Sequence, residues 1–294
     1  MQTGALAASK ELGNPLAEAN ALAELGLSHR LAGALDDAAI TLRQAVERYE
    51  ALDEPRGVAQ ALNGLGVVLD ASRRRSAAKE HLERALHEFR CLGDRLGEAN
   101  ALHDLGVAER FAGNVDQADR LLGDALALYR AVDNSLGEAH ALTSLAAVQV
   151  RRGQLRSAAE TLRHARATYR ELGNRLGEAN TLNELGNLLR LEGEYQPSAE
   201  LFEQALGLNG ELGNRRGEGN AHAGLGRCAR DRATELAGMG QHADAARLVD
   251  QAVVSLRTAL AILEIIGVPE AATVTAELAD LARRQTGHAG SDTG

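Results

Sequence analysis

The chain has 294 residues and a formal net charge of −9, with 45% hydrophobic residues, 2% aromatic residues and no tryptophan. This composition is too apolar for a disordered chain, and a core of Leu and Ala with few rings favours closely packed helices over a β-sandwich. The acidic charge argues against direct contact with nucleic acid. No stretch approaches the ~20 consecutive apolar residues of a membrane span.

The two cysteines and the N-terminus indicate the compartment. Cys91 and Cys228 lie far apart in the chain, so they form neither a disulfide framework nor a Cys-x-x-Cys metal knuckle. The first residues lack the basic region and apolar run of a secretory signal. We therefore expect a cytoplasmic protein.

A period of forty residues organises the chain from residue 14 to residue 267. The string Leu-Gly-Asn or Leu-Gly-Asp begins at Leu12, Leu92, Leu172 and Leu212. A variant of Gly-Glu-Ala-Asn-Ala-Leu-x-x-Leu-Gly follows, and a glycine usually stands seven residues later. A second helical pattern comes after this turn, with small and large residues spaced by four and three on one face. Each repeat is thus predicted to be a helix A, a turn, a helix B and a loop.

The residues before and after these six repeats carry their own predictions. Residues 1–13 align with the second half of a helix B, which indicates either a truncated repeat of a longer protein or a short capping helix. Residues 268–286 are predicted to form a capping helix on which Glu277, Asp280, Arg283 and Arg284 can face water, and residues 287–294 a disordered tail.

The sixth repeat differs from the others in length. Fourteen residues instead of seven separate Gly226 from the turn glycine Gly240, and the following helix B is lengthened by seven as well. Seven residues are about two helical turns, so both helices keep their faces. The lengthened pair is either a structural terminus or a docking surface.

The repeat resembles the tetratricopeptide repeat. The resemblance rests on Leu-x-x-Leu-Gly, a glycine seven residues on and an alanine five beyond that, although leucines such as Leu102 replace the tryptophan of the family. The forty-residue form is also similar to LGN/Pins polarity adaptors and to the C-terminal arrays of bacterial STAND ATPases and SARP-type regulators. The resemblance implies an all-α solenoid, a right-handed superhelix of helix pairs with a concave groove and a C-terminal capping helix.

The resemblance also implies that the A helices line the groove and supply the binding residues. The polar residues at the inward positions are Asn20, Gln60, Asn63, Asn100, His103, His140, Asn180, Asn183, Asn187 and Asn220. Carboxamides offer donors and an acceptor that can pair with the backbone of an extended peptide. Arg110, Arg190 and Arg230 at the edge could clamp carboxylates. In the alternative interpretation the asparagines pack neighbouring A helices and the arginines form a solvated face.

Two other kinds of site are weighed at the same positions. His103 and His140, with Asp104 nearby, could share a metal, but two histidines without a third ligand favour a polar groove lining. The column of Tyr49, Phe89, Tyr129 and Tyr169 is interpreted as packing between repeats. Motifs for nucleotide binding and for nucleophilic or metal-dependent hydrolysis are missing from the sequence. We therefore predict no enzyme activity, no metal and no cofactor.

The function predicted from these features is recognition of a protein or peptide. The chain would be the sensor or interaction region of a larger bacterial signalling or transcription regulator. Its partners would be a protein or peptide ligand and further domains of the same chain, with no direct nucleic acid and no membrane. The alternatives are a stand-alone scaffold that joins two partners, and a self-association module that uses the lengthened terminal pair.

Overall fold

The computed structural model describes residues 13–289, with side chains described as far as residue 283. Over that range the chain is all-α, as predicted, with thirteen helices and no strand. The predicted half-repeat at residues 1–13 lies outside the described residues except for Gly13. The helices are α1 (Pro15–Leu31), α2 (Leu35–Ala51), α3 (Pro55–Ala71), α4 (Arg75–Cys91), α5 (Arg95–Ala112), α6 (Val115–Ala131), α7 (Ser135–Arg151), α8 (Leu155–Glu171), α9 (Arg175–Leu191), α10 (Tyr195–Leu212), α11 (Arg215–Gly238), α12 (His242–Ile265) and α13 (Glu270–Ala289).

The recurring Leu-Gly-Asn/Asp string ends one helix and begins the next. Gly93 follows α4 with a φ of 64°, a left-handed conformation that glycine adopts without strain. The side chain of Asp94 then accepts a hydrogen bond of 2.9 Å from the backbone N–H of Gly97 and caps α5. The string therefore encodes the sharp corner between a B helix and the next A helix.

The chain divides into two compact units, Met1–Arg152 and Gly153–Gly294. In the first unit each helix from α1 to α7 packs against the next, and the A helices α1, α3, α5 and α7 also contact one another in sequence. In the second unit α8 to α13 pack in the same consecutive way, and the A helices α9 and α11 contact each other. Fully buried leucines of the B helices, such as Leu82 and Leu122, lie in the cores.

A glycine column lets each B-helix ring lie against the following A helix. A Cβ placed on Gly97 of α5 would lie 2.2 Å from Cδ1 of Phe89 on α4. Gly137 stands in the same relation to Tyr129, and Gly177 to Tyr169. The glycine of the Gly-Glu-Ala-Asn motif is thus a packing requirement, because any side chain there would overlap the ring.

The last three helices are longer than the rest. Helices α11 and α12 have 24 residues each, against 17 in a regular pair such as α3 and α4. Helix α13 packs on α12 and runs to Ala289, so residues 287–289, expected in the tail, are helical. No proline stands between Leu281 and Ala289 to stop the helix. Residues 290–294 of the expected tail lie outside the described residues.

Candidate functional site: the polar face of the A helices

Carboxamide side chains lie exposed on successive A helices of the first unit. Asn20 on α1, Gln60 on α3 and Asn100 on α5 are all exposed, and His140 follows on α7. In the second unit, Asn180 on α9 is exposed and Asn220 on α11 is partly exposed. The residues at this step of the repeat are therefore accessible within each unit.

Tyrosine hydroxyls of the B helices hold two of these carboxamides. Tyr49 Oη donates a hydrogen bond of 2.7 Å to Asn20 Oδ1, and Tyr129 Oη donates one of 2.8 Å to Asn100 Oδ1. Both rings are buried. Because the amide oxygen accepts the hydrogen bond from the tyrosine hydroxyl, the NH₂ group of each asparagine is left to donate to a ligand.

The tyrosine contact adds to the packing role that the sequence indicated for this column. Phe89 occupies the same step of the second repeat and has no hydroxyl to offer Gln60. Burial of Tyr129 raises the pKa of its phenol, and the negative charge of Asp104 raises it further. The phenol therefore keeps its proton and remains a donor to Asn100. The signal in the sequence that could have predicted these hydrogen bonds is the constant separation of 29 residues between the asparagine and the tyrosine.

A series of side-chain hydrogen bonds joins three A helices of the first unit. Asn63 Nδ2 on α3 donates a hydrogen bond of 2.7 Å to Asp104 Oδ2 on α5. Asp104 Oδ1 lies 3.2 Å from His103 Nδ1, and His103 Nε2 lies 3.0 Å from Ser144 Oγ on α7. The fifth inward position therefore bonds to neighbouring A helices, as the packing interpretation describes, and Ser144 is a member that the sequence did not single out.

Ser144, His103 and Asp104 follow one another in the order of a serine–histidine–aspartate relay, but Ser144 does not have the surroundings of a catalytic nucleophile. Ser144 lies in the interior of α7, where the helix itself uses the backbone N–H groups. Acyl transfer needs donors aimed at a developing oxyanion, and this backbone does not supply them. The arrangement is suited to holding α3, α5 and α7 in register and to presenting a polar surface.

The two histidines of this face, His103 and His140, interact electrostatically. Neighbouring side chains partly desolvate the imidazole of His140 and lower its pKa, the nearby imidazole of His103 lowers it further, and Asp104 acts in the opposite direction. Among the described residues, no group of three or more His, Cys, Asp and Glu side chains is placed to hold a metal ion.

The asparagines of the second unit differ in accessibility. Asn183 is only 7% exposed, and its Nδ2 donates a long hydrogen bond of 3.5 Å to the carbonyl oxygen of Gly217 on α11. Asn187, one turn further along α9, is partly exposed. In this unit, Asn180 and Asn220 are therefore better placed than Asn183 to meet a ligand.

The arginines at the edge of the second unit already contact carboxylates of the chain. Arg190 on α9 forms an ion pair with Asp231 on α11, and Arg230 lies 2.8 Å from the same carboxylate. Glu277 of α13 lies 2.8 Å from Arg227 and 3.6 Å from Arg230. Glu277, which the sequence allowed to face water, is 20% exposed and contacts these guanidinium groups, because α13 packs where they reach it.

Arg110, the candidate clamp of the first unit, has a different environment. Its guanidinium carbon lies 4.1 Å from the centre of the Phe111 ring, within the range of a cation–π contact. Phe111 itself is largely exposed. The charge of Arg110 also acts on the carboxylate of Asp70, so all three candidate clamps interact with carboxylates, and Arg110 has the aromatic contact in addition.

Comparison with known proteins identifies the repeat. The tetratricopeptide repeat model matches residues 97–171 and 138–209. The fold is that of tetratricopeptide repeat proteins. No curated protein matches the sequence significantly. A similarity specific to LGN/Pins, STAND or SARP-type proteins is not among these findings.

Solved structures share the fold at low sequence identity. A Rap protein complexed with Competence and Sporulation Factor superposes with a TM-score of 0.67 at 14% identity, over 92% of this chain and 76% of that one. The Rap conjugation gene regulator of plasmid pLS20, in complex with the Phr* peptide, gives 0.64 at 14% identity over 89% and 80%. BtubC from P. vanneervenii gives 0.62 at 17% identity over 76% and 92%.

No helix in the part of the chain that the structure describes combines the length and the apolar character needed to cross a membrane.

Proposed function

We propose that the A-helix face of the first unit binds an extended segment of a protein or peptide. The observation that carries the proposal is the pair of exposed carboxamides, Asn20 and Asn100, whose oxygens are held by buried tyrosines. Each asparagine then offers its NH₂ group to a backbone carbonyl oxygen of the ligand. Such contacts read the backbone and not the side chains, so they suit ligands of varied sequence.

The solved structures support this proposal through their ligands. Two Rap proteins of the same fold are complexed with Competence and Sporulation Factor and with the Phr* peptide. Their identity to this chain is 14%, so the shared property is the fold, and the binding is carried over here as part of the proposal.

The proposed context is a larger bacterial signalling or transcription regulator in which this region is the sensor. In that role the chain binds and does not catalyse. A stand-alone scaffold that joins two partners is the alternative. The flanking coding sequence separates the two, because a P-loop or a helix-turn-helix module there supports the regulator.

An isosteric substitution tests the binding face without removing the tyrosine contact. In Asn20→Asp with Asn100→Asp, each side chain keeps an oxygen for the tyrosine hydroxyl but loses its NH₂ donors. Peptides selected from a random library displayed on phage against the full chain serve as probes. We expect the variant to bind them at least about tenfold more weakly, because each carbonyl of the ligand loses its donor and faces a carboxylate.

The control variant is Gln44→Glu with Gln117→Glu, which adds the same charge on B helices of the same unit. It should bind the selected peptides with the affinity of the wild-type chain. If the asparagine variant also keeps that affinity and its melting temperature, the binding proposal is wrong. A large fall in melting temperature with unchanged affinity would instead favour the packing interpretation.

A further inference from the structure

A cavity of about 840 Å³ opens in the second unit between the B helices α10 and α12, on a side of α11 that the proposed peptide face does not use. The α11 residues that line it are Leu225, Cys228, Ala229 and Arg232. Their spacings of three and four residues form a single stripe of the helix. Arg227 and Arg230, which contact Glu277, lie on a different stripe. The cavity is therefore a second surface, independent of the A-helix face.

The apolar floor of this cavity is open to a ligand. At the step of Leu225, Leu65, Leu105 and Leu185 are almost fully buried, whereas Leu25 and Leu145 are partly buried. Leu225 is also only partly buried. The sixth repeat thus leaves part of its inter-helix packing surface open.

The wall formed by α12 carries an exposed apolar residue at a step where repeats two to five carry charge. Val254 is 64% exposed and lines the cavity. The residues at the same step of repeats two to five are Glu80, Arg120, Glu160 and Glu200, and repeat one has Ile40, which is 52% exposed. At the sixth repeat the exposed valine adjoins the partly buried Leu225 in one cavity, and together they form an apolar surface that another molecule can cover.

The rim of the cavity is acidic. Glu194 and Glu203 line it from α10 and the turn before it, and Asp250 lines it from α12. No ion pair or hydrogen bond of these three carboxylates is found among the described residues. The single lining arginine, Arg232, lies 2.5 Å from Glu235 and so is already paired. The charge of the rim that no ion pair neutralises is therefore negative.

We propose that this cavity, here called the α10–α12 groove, binds a basic amphipathic helix of a partner protein. Apolar side chains of that helix would contact Leu225, Ala229 and Val254, as in other helix-in-groove complexes. Its Lys and Arg side chains would meet Glu203 and Asp250 at the rim. A second copy of this chain is a poor occupant, because the chain carries a net charge of −9 and the groove is itself acidic.

Two designed peptides probe the groove on the full chain. One is a helix of about 18 residues with Leu at helical spacing on one face and Lys on the other, and its partner replaces every Lys with Glu. We expect the Lys peptide to bind and the Glu peptide not to. Amide chemical-shift changes should fall on residues 194–203, 225–232 and 248–255, and not on the A-helix face.

Charge variants separate a specific groove from general attraction to an acidic protein. Glu203→Lys with Asp250→Lys should weaken binding at least about tenfold. Glu80→Lys with Asp124→Lys makes the same change in net charge on B helices of the first unit and should leave affinity unchanged. An equal loss in both variants would overturn the proposal, because it would show attraction to net charge alone.

Val254→Asp supplies an independent test of the apolar contact. It adds a negative charge, so general electrostatic attraction would tighten the Lys peptide, whereas loss of the apolar contact weakens it about fivefold or more. Unchanged or tighter binding overturns the proposal. A wild-type chain that dimerises in light scattering, and a Val254→Asp chain that does not, would also overturn it, because the occupant would then be a second copy.

Discussion

Gly97 stands in the first turn of α5, where the helix needs no positive φ, and yet glycine recurs at this step in five repeats. Its neighbour explains it. The ring of Phe89 lies where a Cβ would be, at 2.2 Å. The same distance is 2.3 Å between Gly57 and Tyr49. The glycine at the start of each of these A helices and the ring on the preceding B helix therefore form one packing unit, which recurs every forty residues.

This packing predicts opposite effects for two helical glycines. Gly97→Ala should destabilise the chain by about 1–3 kcal/mol, because the added methyl overlaps the Phe89 ring. Gly123→Ala, inside α6 with no atom within 4 Å of its Cβ, should stabilise it by about 0.5–1 kcal/mol. Urea denaturation followed by circular dichroism measures both. A stabilising Gly97→Ala would contradict the packing account.

The sequence predicts the buried apolar residues well but not the polar contacts between helices. The helical faces of Leu and Ala follow from periodicity, and the structure buries those columns. The hydrogen bond of Tyr129 to Asn100 does not follow from it, because it depends on the height at which two antiparallel helices face each other. Likewise, the sequence placed Asp104 near His103 but did not show that Asn63 and Ser144 complete the series of hydrogen bonds.

Among the helices, α13 shows how a terminal element is fixed. Its stripe of Val274 and Leu281 packs into the core, as the periodicity indicated. The same helix is also held by charge, since Glu277 meets Arg227 and Arg230. These side chains are 20–24% exposed, so water screens the pairs only in part.

Removing this charge should loosen α13 before it affects other helices. In Glu277→Gln we expect amide hydrogen exchange in α13 to quicken on the order of tenfold, because Arg227 loses its charged partner on α13 and Arg230 keeps only Asp231 of its own helix. Glu264→Gln, on an exposed position near the end of α12, is the matched control and should leave exchange in α13 unchanged. Equal exchange in both variants would show that apolar packing alone holds α13.

At the level of each compact unit, every helix contacts its neighbours along the chain. The helices of the first unit pack consecutively, and the same holds within the second. In arrays of this kind stability is a sum of repeats and nearest-neighbour interfaces, not the property of a single core. A local defect should therefore have a local effect.

Leu82→Ala tests this additivity. Leu82 of α4 is fully buried, and its truncation should remove about 2–5 kcal/mol from the local stability. Amide exchange should quicken in α3, α4 and α5 while α11 and α12 keep their protection. Leu96→Ala, at a position 43% exposed, should change little. Uniform loss of protection along the chain would contradict the nearest-neighbour account.

The sequence by itself determined the all-α class, the forty-residue unit with its glycine corners, and its buried columns. These follow from local information, because glycine corners, caps and apolar spacing act within one repeat. Only the tertiary structure decided which polar groups meet, Tyr129 with Asn100 and Glu277 with two arginines. It also decided that Leu225 lines an open cavity. Such meetings depend on how far apart neighbouring helices lie and how they are aligned, and side chains distant in sequence set both.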